Sequence, residues 1–265
     1  MVKVFRGMMG SEYFIVPLLM VAYFAFTGSS GGFTLQNLAD VSQYNNIFYR
    51  SIKLAVISTV ICLAIAYPLS MILARIDSRY QGIILMVVML PMWMNLLLMT
   101  YAWITILQKN GVINSILGLF GLGPYKLLNT QGAIVLGMVY NYLPFMILPI
   151  YNSLTKIDAS ITEAAQDLGC NSVKAFLRVI FPLSIPGVMS GITMVFVPAI
   201  STFIISRMLG GGSNILIGDL IEMQFLGNAY NPYLGAAISL ILMIIVLIIM
   251  TLLSRFDTDD DRVLM

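Results

Sequence analysis

The chain has 265 residues, 59% hydrophobic and 10% charged, with a mean hydropathy of +0.93 and a formal net charge of +2. Soluble domains carry about 25% charged residues, so this composition places the chain in a membrane as a single unit over 1–265. The small net charge argues against a nucleic-acid partner, the absence of histidine removes the commonest metal ligand and general base, and the two cysteines, Cys62 and Cys170, support neither a zinc site nor a disulfide framework.

Lys3 and Arg6 precede a short apolar run, Tyr13–Phe26, which imitates a secretion signal. No convincing small-x-small cleavage site follows in 27–32, so the run reads as a retained first span. Six spans are expected, at about 11–27, 52–74, 82–107, 131–154, 184–206 and 233–253. The expected fold class is therefore an all-α integral membrane protein with six transmembrane helices. The apolar stretch 111–122 is too short to cross and reads as a helix lying at the membrane surface.

The third span carries Trp93, Asn95, Tyr101 and Trp103. At a rise of about 1.5 Å per residue from Gly82, Trp93 and Asn95 lie roughly 16–20 Å in, near the midplane. An interfacial aromatic belt does not explain a tryptophan at that depth. The fourth span holds Tyr140, Asn141 and Tyr142 at similar depth. Polar side chains in hydrocarbon need a wet cavity or a partner helix, and both readings stay open here. Trp93 is the expected cavity-lining residue, and Asn95 the one expected to bond a neighbouring helix. Prolines 68, 91, 144, 149 and 198 interrupt the spans; such breaks occur in transporters and in static bundles alike.

Between the fourth and fifth spans lies the polar, charge-dense segment 158–182. Ile161, Ala164, Ala165 and Leu168 have the spacing of one amphipathic helix, with Asp158 or the Ser160/Glu163 pair as its cap and Gly169 as its end. Val173, Phe176, Leu177 and Ile180 have the spacing of a second, which Pro182 is expected to stop. A DNA-binding helix-turn-helix is the rival reading. It fails because spans flank the segment and the second helix offers only Lys174 and Arg178 to phosphates.

Lysine and arginine placement sets the orientation. With the N-terminus in the cytoplasm, inner segments hold nine of these residues and outer segments five. That bias puts both termini and the 155–183 loop inside. The tail residues Asp257, Asp259, Asp260 and Asp261 read as a solvated end. No catalytic constellation is visible, and Gly210-Gly211-Gly212-Ser213 lacks the lysine of a phosphate loop, so the chain is expected not to hydrolyse ATP.

The ordered pattern Glu163-Ala164-Ala165, Asp167, Gly169 and then Phe181-Pro182-Leu183 resembles the EAA loop of permease subunits of ABC importers. Residues 90–95, 143–151, 182–187 and 214–218 extend the resemblance, which is to B-type permeases of spermidine/putrescine importers. Gln166 and Cys170 stand where that family usually has arginine and alanine. The resemblance implies a type I importer permease fold in a bacterial plasma membrane, with 155–183 as the cytoplasmic coupling loop. It implies a second, C-type permease, two copies of a cytoplasmic ATPase that bind ATP and magnesium, and an extracytoplasmic polyamine receptor. Glu163, Ala164, Ala165, Asp167, Gly169 and Pro182 would then form the ATPase-coupling surface, and Trp93, Asn95, Tyr101, Tyr140, Asn141 and Tyr142 the translocation path. Iron, thiamine and sulfate permeases share the loop and are the nearest alternative. A secondary transporter would need ionisable residues at mid-membrane, and none is visible.

Overall fold

The computed structural model describes residues 15–28, 31–167, 170–227 and 230–258. Strand-like pairing among them is confined to one bridge, between Thr27 and Phe33. In chain order the helices are α1 Ile15–Phe26, α2 Gln36–Asp40, α3 Asn45–Arg75, α4 Ser78–Trp93, α5 Leu96–Leu107, α6 Val112–Leu119 and α7 Gln131–Leu154. There follow α8 Ala159–Asp167, α9 Ser172–Ala175, α10 Phe181–Ser201, α11 Ile204–Gly210, α12 Ile217–Leu226 and α13 Pro232–Thr258. Five helical runs are long and apolar enough to cross a membrane: Gln36–Arg75, Leu96–Leu119, Gln131–Leu154, Ser172–Ser201 and Pro232–Leu253. Ile15–Phe26 and Arg79–Trp93 are apolar but shorter.

Helices α3, α7 and α10 pack on one another as the centre, and α13 packs against α10 and α12. On α3 the buried residues Ser51, Ala55, Ser58, Cys62, Ala66 and Ser70 recur every three or four positions. Small residues let helix backbones approach, and their hydroxyls and thiol then reach the partner helix. Ser58 meets the Met138 sulfur at 3.3 Å, Cys62 donates to the Val139 carbonyl at 3.8 Å, and Ser70 donates to the Ile147 carbonyl at 3.1 Å. The α7–α10 contact is closer still. A Cβ on Gly187 would stand 2.5 Å from Ser153 Cβ and 2.6 Å from the Pro149 carbonyl oxygen.

The expected third span is not one helix. α4 ends at Trp93, Met94 and Asn95 are extended, and α5 starts at Leu96. Pro91 donates no amide hydrogen to the end of α4, and the Asn95 side chain offers α5 a ready start. Residues 108–111 then turn the chain before α6.

Pro182 does not stop the helix before it. The run Ser172–Ser201 is continuously helical, with a π-turn at Phe176–Ile180. There the Phe181 amide reaches the Phe176 carbonyl, five residues back. Widening the turn lets the helix carry a proline whose missing N–H would interrupt an α ladder, and π-turns are frequent at functional sites. Tyr67, Phe176 and Phe181 pack around it with ring centroids 5.8–6.3 Å apart.

Candidate functional site

The polar segment forms a helical hairpin. Asp158 caps α8: its carboxylate accepts the Ser160 amide at 3.0 Å. The backbone amide of Ser160 first, then its side chain, holds the exposed Asp158 carboxyl below the usual range. At the other end the Cys170 amide donates to the Ala165 carbonyl at 3.1 Å. Asn171 caps α9, accepting the Lys174 amide at 2.9 Å. Ala165 is buried, whereas Glu163, Ala164 and Asp167 are exposed. α8 packs on α9 and the π-turn. The hairpin thus presents an acidic, small-residue surface whose backbone a partner can approach closely. Leu168 and Gly169 lie outside the described residues.

The mid-span residues are not gathered into one chamber. Trp93 is 66% exposed and Tyr101 59% exposed on the surface of this chain. Asn95 does not bond a neighbouring helix: its side-chain oxygen accepts the amides of Leu97 and Leu98, at 2.9 and 3.4 Å. An asparagine just before a helix meets free amides at no distance, and that local bond wins. Tyr140 packs edge-on against Trp103, with centroids 5.3 Å apart. Asn141 donates to the Gly137 carbonyl of its own helix at 2.8 Å, and the Tyr142 hydroxyl donates to the Pro198 carbonyl at 3.3 Å. Asn141 and Tyr142 therefore satisfy backbone, while Trp93 and Tyr101 leave aromatic faces free.

Two cavities escaped the reading of the sequence. One, of about 780 Å³, opens between α7 and α10 near the α8 end and includes Asn152, Ser153, Lys156 and Ser190. Single serines and an asparagine in apolar runs carried no pattern that could have flagged it. The other, of about 420 Å³, is flanked by α11 and α12 and includes Arg207, Asp219 and Glu222. Its signal was available: two carboxylates three residues apart share one face of a helix. Burial first, then the nearby Glu222, pushes the Asp219 carboxyl up, against the opposing effects of Ser206, the Leu216 amide and Arg207.

Residues 66–257 match the family described as "Binding-protein-dependent transport system inner membrane component". The chain belongs to this family. Among curated relatives, the spermidine/putrescine transport system permease protein PotB of Haemophilus influenzae is 34% identical over 238 residues, covering 86% of this chain and 83% of that one. PotB of Escherichia coli K12 is 36% identical over 217 residues, covering 80% and 78%. In fold, the chain is similar to a bacterial ABC transporter involved in the import of the acidic polysaccharide alginate, with a TM-score of 0.81 at 14% identity over 97% of this chain and 93% of the other. The chain is thus a multi-pass membrane component with the fold of a type I importer permease.

Proposed function

We propose that the chain is the membrane-spanning subunit of an ATP-driven importer that carries polyamines into the cytoplasm. The observation that carries this reading is the 34–36% identity to spermidine/putrescine permeases over 80–86% of the chain. The side chains are compatible with a cationic cargo. Among the described residues no lysine or arginine is buried, so nothing deep in the spans repels an ammonium. The exposed rings of Trp93 and Tyr101 can each hold one by cation–π attraction, about 0.5–2 kcal/mol.

The partners complete the mechanism. A C-type permease covers the exposed Trp93–Tyr101 side and closes a path between the two chains. Two copies of a cytoplasmic ATPase dock on the hairpins, one per permease, with α8 in a cleft of the ATPase. ATP-driven closure pushes α8, and the rigid α9–α10 run passes the displacement into the bundle. A receptor delivers the polyamine from outside. The chain itself binds no ATP. α4 and α5 rise about 24 and 18 Å at about 1.5 Å per residue. Neither is long enough to span alone, and the apolar stretch Leu96–Leu119 is broken by the turn at 108–111, so a joint crossing of α4 and α5 supports six passes with both termini inside.

The test is reconstitution of the chain with its partner permease, ATPase and receptor in proteoliposomes, followed by uptake of labelled spermidine and putrescine. ATP-dependent uptake that unlabelled polyamines suppress, and that iron, thiamine and sulfate do not, is the expected result. Uptake of one of those solutes instead would overturn the substrate. Trp93→Ala should lower polyamine uptake about two- to thirtyfold, the loss of one cation–π contact, with the complex still assembled and its ATPase active.

A further inference from the structure

The loop between the fifth and sixth spans does not trail across the surface. It folds into α11 and α12, which flank a half-open cavity of about 420 Å³. Asp219, on the first turn of α12, is only 5% exposed yet lines that cavity. One carboxylate oxygen accepts the Leu216 amide at 2.9 Å; the other is buried and has no hydrogen-bond partner among the described residues. Ser206 stands beside it, but its hydroxyl donates to the Phe203 carbonyl at 3.0 Å, and a hydroxyl has one hydrogen to give. A buried acceptor without a donor is costly, so such an atom in a cavity points to a missing donor.

The neighbours define the donor's chemistry. Glu222 pairs with Arg207 through one guanidinium nitrogen, at 2.7 and 2.6 Å. The Arg207 side chain is 64% exposed, and an ion pair with so exposed a cation is weak and easily exchanged. Asp219 and Glu222 against Arg207 leave the cavity one negative charge in excess. The Asn214 amide nitrogen donates to the Gly210 carbonyl at 3.3 Å, which leaves its own carbonyl as an acceptor. No cluster of three or more metal-type ligands occurs among the described residues, and hard divalent cations want about six to eight oxygens. The remaining wall is apolar, with Ile215, Met223 and Leu226. A carboxylate end and an apolar wall suit a primary ammonium on a methylene chain, and the volume falls in the range of small-molecule sites.

We propose that this cavity binds a terminal ammonium group of an alkyl polyamine, with Asp219 and Glu222 as its counter-charges and Met223 and Leu226 along its methylenes. The proposal rests on the polyamine reading and on the outward placement of this loop given above. Arg207 holds Glu222 until the ligand arrives and is then exchanged for the ligand's ammonium. The arriving cation also favours the ionised form of Asp219, which burial disfavours. The cavity is a first station for cargo outside the membrane, separate from the aromatic surface at Trp93.

The assembled complex in nanodiscs is treated with labelled putrescine and a water-soluble carbodiimide, which joins a carboxyl to an amine held against it. No lysine lines the cavity to compete. Peptide mass spectrometry should find saturable incorporation at Glu222, about tenfold above that at the solvent-exposed Asp158, the scale of one charge-assisted hydrogen bond. Asp219→Asn should raise the half-saturating concentration about tenfold on the same scale. Arg207→Gln, a change of an exposed side chain, should lower it. Unlabelled putrescine should compete and butane-1,4-diol should not. Incorporation at Glu222 no greater than at Asp158, or indifferent to excess unlabelled amine, would overturn the proposal. Proteoliposome uptake separates the two ideas. Polyamine uptake without incorporation at Glu222 sinks the cavity alone, and saturable incorporation without polyamine uptake sinks the transport reading alone.

Discussion

Asn95 and Asp219 are both polar side chains beside a helix start, and their fates differ with what the backbone offers. Asn95 finds two free amides within three residues and caps α5. Asn95→Ala should cost about 1 kcal/mol locally, the usual worth of such a cap. Amide hydrogen exchange in the intact complex should speed up at Leu97 and Leu98; unchanged protection there would show that tertiary packing alone holds the start of α5. Asp219 finds one amide, and burial raises its carboxyl above its ordinary value. The folded chain therefore binds a proton that the unfolded chain has already released. Its stabilising effect is fully present below the unfolded value of about 3.9 and is lost as pH rises through the raised folded value. The melting temperature of the purified complex should decline across that window, and Asp219→Asn should flatten the decline. Equal declines in both proteins would remove Asp219 as the cause.

At the scale of elements, the close approach of α7 and α10 decides whether, in the proposed mechanism, the α8–α9 hairpin acts on a rigid body. Gly187 permits it, because the space a side chain would occupy already holds Ser153 and the Pro149 backbone. Gly187→Val should destabilise the assembled complex by about 1–3 kcal/mol, the cost of overpacking. A detergent melting curve would read this as a lower midpoint, and a midpoint equal to wild type would mean the helices can part without penalty. The π-turn before Pro182 has the complementary role. It keeps the run from α9 to α10 continuous, so the segment on which α8 packs is one element with the bundle helix instead of a loop. A helix that ended at the proline would leave a flexible joint where the force has to pass.

For the whole molecule, orientation fixes which side receives cargo and which meets the ATPase in the proposed importer. On the nine-to-five lysine and arginine bias, the α8–α9 hairpin is expected inside and the α11–α12 cavity outside. A cysteine placed at the exposed Ser213 should react with an impermeant thiol reagent on intact cells, in a background without other accessible cysteines. Cys170 should react only after permeabilisation. The reverse pattern would overturn the orientation and with it the outer station.

Several features needed only the sequence. Composition dictated a membrane protein, because hydropathy is a sum over residues and needs no coordinates. The fourth span, expected at about 131–154, matches α7 at Gln131–Leu154, since apolar length is a local property. The starts of α8 and α9 were legible for the same reason, though not the end of the second helix, and the ordered motif there pointed to the family that residues 66–257 match. The break at Met94–Asn95 was not legible, because a proline and a capping residue in an apolar run fit a kink and a stop equally well. The continuity across Pro182 depended on a π-turn packed against Tyr67, a contact from another helix. The burial of Asp219 was invisible for a further reason. A carboxylate in a predicted outer loop reads as solvated, and the packing of α12 against α13, α10, α11 and α3 takes water away from it. Local patterns are written in neighbouring residues, whereas burial and the partner of a polar atom are decided by elements far apart in the chain.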